Sequence, residues 1–161
     1  MGFNTDSSTP NTTEKTKQIK AAIAYLRQNR NAQAFLLLSE PGLEKDPAAE
    51  FALGLCYLRA DELTSAVSHF EQALWLIKSA GFSPRAESGN AVYLKLAAGQ
   101  IADEVYLTPM DASYCTLFPK AAEQTVMLAM IHTYRLMGMS DQARRVAAGL
   151  TGPEFDEFKK K

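Results

Sequence analysis

Four of the six tyrosines in this chain are followed by alanine nine residues later. Tyr25 leads to Ala34, Tyr57 to Ala66, Tyr93 to Ala102 and Tyr134 to Ala143. Four residues further on come Leu38, Phe70, Tyr106 and Ala147. This register leaves few folds open. Two antiparallel helices approach closely only where a small residue sits at the crossing, and a bulky one there costs roughly 1 to 3 kcal/mol of strain. The aromatic near the end of one helix is expected to cover the alanine near the start of the next. Repetition of the unit predicts a row of helical hairpins joined by short turns.

The rest of the chain agrees with an all-α fold. From Glu14 onward the apolar spacing follows the helical period, and no sustained two-residue alternation or Asn-Gly hairpin turn suggests a strand. Helix starts are expected at Asp46-Pro47, Ser83-Pro84 and Thr108-Pro109, each pairing a capping side chain with a proline at the first helical position, and at Ser140. Breaks are expected at 29–31, Pro41-Gly42, Ala60-Asp61, Gly81, Gly138 and Gly152-Pro153.

The stretch FALGLCYLRADELTSAVSHFEQAL, residues 51–74, carries Leu53-Gly54, Tyr57, Ala66, Phe70 and Ala73. With these residues it resembles a unit of the tetratricopeptide repeat family. The first unit resembles the family through Ala22, Tyr25, Ala34 and Leu38, and the last through Tyr134, Gly138 and Ala143. The third departs from it, with Asn90 where a small residue is usual and Gly99 displaced from the turn. The tyrosine steps of 32, 36 and 41 residues bracket the family's period of about 34. The resemblance implies antiparallel helical hairpins stacked as a short right-handed solenoid over 15–150. Its concave face would bind peptides or proteins. Residues 1–14, rich in Ser, Thr and Asn, read as a disordered tail. Residues 107–123 interrupt the period, either as an extra short helix with a loop or as a partner-docking lid. Residues 151–161 read as a capping helix, with Phe155 and Phe158 on the last hairpin and the lysines in solvent.

The same resemblance implies which positions line the groove. They give an apolar strip of Ile19, Ile23, Leu26, Phe51, Leu55 and Leu58 in the first two units, and Leu128 and His132 in the fourth. Beside the strip run Arg27, Arg59, Lys95 and Arg135. Such a groove suits an apolar peptide carrying acidic groups. Two readings of the basic row stay open, because cations near helix C-termini also complement the helix dipole. The family's carboxylate clamp of Lys and Asn is not expected, since Ile19 and Ile23 occupy its positions. The strip would serve equally as a homodimer face.

Other classes of function find little support. A net charge of −1 and pI near 6.1 argue against sequence-independent nucleic-acid binding. IHTYRLMGMSDQARRVAAGL fits a helix-turn-helix only loosely. No apolar run reaches the length of a membrane span. The N-terminus lacks an apolar signal core, and Asp6 stands where a myristoylation signal wants Ser or Thr. The phosphate-binding GxxxxGK, GxGxxG and HExxH motifs are missing, and Arg85 spoils the nucleophile elbow at Gly81–Arg85. His69 and His132 are the only histidines, and neither cysteine has a metal-ligand spacing to them. Cys56 reads as a small buried hydrophobe, Cys115 as an exposed thiol without an activating neighbour. The expectation is a non-catalytic cytoplasmic adaptor or chaperone-like module, with no cofactor, metal, nucleic acid or membrane partner.

Overall fold

The structure, a computed structural model, describes residues 12–81 and 90–161. Among the described residues all regular structure is helical. Helices α1 (Thr12–Arg27) and α2 (Asn31–Leu38) pack together, as do α3 (Pro47–Arg59) and α4 (Leu63–Ser79). Helix α5 (Ala91–Ala102) leads through a 3-10 turn (Val105–Leu107) into the short α6 (Ala112–Leu117). Helix α7 (Pro119–Leu136) then pairs with α8 (Ser140–Ala148). A second 3-10 turn (Pro153–Phe155) and α9 (Asp156–Lys159) close the chain.

The three pairs α1/α2, α3/α4 and α7/α8 share one turn. The carbonyls of Tyr25, Tyr57 and Tyr134 accept from the amides of Arg30, Glu62 and Met139, at 2.8, 2.9 and 2.9 Å. Between them a residue takes the left-handed conformation: Asn29 (φ 58°), Asp61 (φ 62°) and Gly138 (φ 71°). A bond spanning five residues around a left-handed position is the Schellman helix stop, and Asn, Asp and Gly are the residues that tolerate it. The repeated tyrosine marks this stop. Nine residues on, the amides of Ala34, Ala66 and Ala143 start the second helices by donating to the carbonyls of Arg30, Glu62 and Met139. All three alanines are buried.

The third unit does not form this hairpin. Asn90 caps α5, its Oδ1 accepting from Val92 N at 2.8 Å. That cap puts Tyr93 in the first turn of a helix rather than its last. Ala102 therefore ends α5, and Tyr106 falls in the 3-10 turn. Other boundaries also differ from expectation. Asp46 does cap α3, accepting from Ala49 N at 3.0 Å ahead of Pro47. Thr108 is not a cap: its hydroxyl donates to Val105 O at 2.6 Å, and α6 starts only after Asp111. Ser140 is the first residue of α8, flanked by Met139. Helix α1 starts at Thr12, within the stretch read as a tail, while residues 1–11 and the expected Ser83-Pro84 start lie outside the described residues.

Helix α3 divides the core. Ala49, Ala52 and Cys56 face α1 and α2. Phe51 and Leu55 join a larger cluster from α4, α7 and α8 that also takes in Tyr106, Met110, Cys115 and Phe155. Gly54 lets α4 approach: a Cβ there would overlap the Phe70 ring. One acidic side chain is buried in this region. Glu50 lies against His69 Nδ1 at 2.7 Å, and His69 stacks on Tyr57 at 5.0 Å. His69 is thus the half-buried packing residue expected, with a carboxylate partner sequence spacing did not reveal.

Candidate binding pocket

The expected groove is not a free surface. Ile19, Ile23, Leu26, Phe51 and Leu55 are all at most 4% exposed, so the strip is core. Leu58 is half-buried against the same core. The two halves of the strip are covered differently: Ile19, Ile23 and Leu26 pack among α1, α2 and α3 with Ala34, Leu38 and Cys56, while Phe51 and Leu55 are covered by the insertion. Freed from hairpin geometry, the 105–118 segment folds back on the helices: α6 packs on α3, and Tyr106, Met110 and Cys115 complete the cluster around Phe51 and Leu55. An apolar strip covered by its own chain offers neither a peptide groove nor a dimer face.

The three arginines of the basic row are engaged within the molecule. Arg27 pairs with Asp111 of the insertion at 3.5 Å. Arg59 donates to Leu26 O at 2.9 Å and Asn31 Oδ1 at 2.7 Å, capping the C-terminal end of α1 from the next hairpin. Arg135 donates to Phe158 O at 3.3 Å and lies 4.6 Å over the Phe158 ring. Lys95 is exposed on α5. His132 is half-buried, edge-on to Tyr106 at 6.2 Å. The capping reading of the cations therefore describes Arg59 best, with the dipole belonging to a neighbouring helix.

Cys115 is corrected in the same way. It is buried, its Sγ 3.4 Å from Met110 Sδ, and burial pushes its thiol up to about 12. Cys56 is buried as expected, its thiol raised to about 11 by the same desolvation. Both are poor nucleophiles at neutral pH. Among the described residues no three His, Cys, Asp or Glu side chains gather as a metal site, and no helix is long and apolar enough to cross a membrane.

What the insertion creates is a pocket of about 260 Å³ between α5 and α7. Helix α5 contributes Tyr93, Ala97, Gln100 and Ile101, one helical face at steps of four, three and one. Helix α7 contributes Ala121, Gln124, Thr125 and Leu128, a face of the same period. The 105–111 segment and Tyr114 close one side, and Arg27 reaches it from α1. Glu154 and Phe155 complete it from the C-terminal turn. That turn is tied to α7 by Gln124, whose Nε2 donates to Thr151 O at 3.2 Å. Of the predicted groove positions, only Arg27 and Leu128 reach this pocket. Burial raises the Tyr106 phenol, with the Glu104 charge adding to it. The pocket's residues Tyr93, Gln124 and Glu154 were missed by the sequence reading. The period-breaking insertion was the one signal near them. No protein-family model, curated protein or solved structure matches the chain.

Proposed function

We propose that the chain is a non-catalytic protein-interaction module that holds a segment of a partner protein along α5, with one side chain or chain end seated in the α5–α7 pocket. One observation carries the reading. Helix α5 is apolar yet has no buried residue. One face borders the pocket, while Val92 and Leu96 stand 67% and 65% exposed. An uncovered apolar face beside a mixed polar and apolar cavity is the usual make-up of a recognition site. The three hairpins with a shared turn support the resemblance to tetratricopeptide repeats, which supplies the expectation of a right-handed stack and of peptide binding. The recognition surface differs from that expectation, because the strip it assigned is core.

The test is selection of peptides from a random displayed library on the full chain. Selected peptides should bind the parent chain and lose binding to Leu96→Glu and to Ala97→Trp, which fills the pocket, with helical circular dichroism unchanged in both. Failure to enrich any sequence, or equal binding to both variants, sinks the proposal.

A further inference from the structure

Resting on that reading of the pocket, we infer that the group it receives is a cation, an ammonium or guanidinium such as the end of a partner's Lys or Arg side chain. Among the described lining residues, three have acidic or basic side chains: Arg27, Asp111 and Glu154. Arg27 and Asp111 pair with each other at 3.5 Å. Glu154 is left over. Its Oε2 is sealed from solvent and has no hydrogen-bond partner. A buried carboxylate oxygen without a partner is costly, and native chains keep few of them.

The backbone leaves room for this carboxylate. It lies over Gly152, where a Cβ would overlap both of its oxygens. Gly152 has φ 132°, a conformation that L side chains rarely adopt. The walls suit the same ligand. Tyr93, Tyr106, Tyr114 and Phe155 border the cavity, and aromatic rings attract ammonium and guanidinium groups within about 6 Å of their centroids. A cation in the pocket would meet Glu154 on the side that lines the cavity, leaving the sealed Oε2 over Gly152, and would exchange part of its hydration shell for aromatic contact. An anion would face Glu154 across the cavity and would have to share Arg27 with Asp111. The acid-bearing peptide expected from the basic row is therefore the wrong charge for this pocket.

The experiment titrates the isotope-labelled full chain with n-butylguanidinium and with its neutral shape analogue n-butylurea. Amide and ring resonances of Tyr93, Tyr106 and Tyr114 report the site. The guanidinium should bind at least about tenfold more tightly, a difference of about 1.4 kcal/mol. Glu154→Gln should abolish that preference. Glu157→Gln, the same charge change on an exposed side chain paired with Lys160, should leave it intact. The inference is overturned if the two probes bind equally or if neither moves those resonances. It is also overturned if the preference survives Glu154→Gln or if Glu157→Gln removes it too. Peptides selected on the chain that carry no basic residue would refute the cation while leaving the interaction module standing. A cation preference with no peptide enriched would do the reverse.

Discussion

Replacing Phe51 separates a groove residue from a core residue. Phe51 is fully buried, with its ring centroid 5.4 Å from that of Phe70 at an interplanar angle of 40°. Truncation to alanine forfeits the transfer free energy of the ring and leaves a cavity, together about 3–5 kcal/mol. Loss of the ring pair, about 0.5–1.5 kcal/mol beyond area burial, places Phe51→Ala toward the upper end. A chain of this length shifts its melting temperature by roughly 2–4 °C per kcal/mol, so Phe51→Ala should melt about 6–20 °C lower. Phe51→Glu adds an unpaired carboxylate in an apolar site, which costs several kcal/mol more. Against a typical total stability of about 5–15 kcal/mol, that variant should be largely unfolded. Circular dichroism at 222 nm through thermal and urea unfolding reads both. Leu96→Glu, on the exposed face of α5, is the control and should stay within about 0.5 kcal/mol of the parent. A fully helical Phe51→Glu, or a Phe51→Ala no less stable than Leu96→Glu, would refute the assignment of the strip to the core.

Gly54→Ala drives a Cβ into the Phe70 ring and should cost about 1–3 kcal/mol in urea unfolding, with Phe70→Leu in the same chain recovering part of it; a neutral Gly54→Ala would show that α3 and α4 approach less closely. The two thiols give a pH dependence. Both titrate higher in the folded chain, about 11 for Cys56 and about 12 for Cys115, than the ordinary 9.0. The folded state then holds protons that the unfolded state has lost. This stabilisation is complete below about pH 9 and is lost as pH rises through the folded values, by up to about 1.4 kcal/mol per unit for each thiol. The Cys56→Ala, Cys115→Ala chain should show a shallower fall in urea midpoint between pH 9 and 11 than the parent; equal slopes, or rapid modification of the native thiols at neutral pH, would contradict their burial.

The hairpins were legible in the sequence because their stops and starts are local. Tyr57, Asp61 and Ala66 lie within ten residues, and the bonds that define the turn, Glu62 N to Tyr57 O and Ala66 N to Glu62 O, close inside that window. The same local chemistry misled at Tyr93, where the spacing persists but Asn90 has already fixed the helix start. The pocket was illegible for the opposite reason. Arg27, Tyr93, Gln124 and Glu154 come from four distant places, and what joins them is tertiary: the Arg27–Asp111 pair and the Gln124–Thr151 hydrogen bond. Nothing around Thr151-Gly152-Pro153-Glu154 announces a binding residue; its glycine and proline signal only a turn.

Filling the groove and opening the pocket have one origin. The resemblance to a repeat implied a third hairpin, with Phe51 and Leu55 on an open concave face. Because α5 is a single helix, the chain that follows is released to cross that surface, and Tyr106, Met110 and Cys115 bury it. The cost falls on α5 itself. Its inner face meets the cavity and the two 3-10 turns, and its outer face, with Val92 and Leu96, is largely exposed. Apolar surface withdrawn from one face of the scaffold has been exposed on another, roughly 25 cal/mol for each Å² left uncovered. A partner covering α5 would recover that stabilisation, and its contact would run past the unpaired carboxylate of Glu154. The proposed recognition surface therefore lies on α5 and not on the Phe51–Leu55 strip, which the chain itself covers.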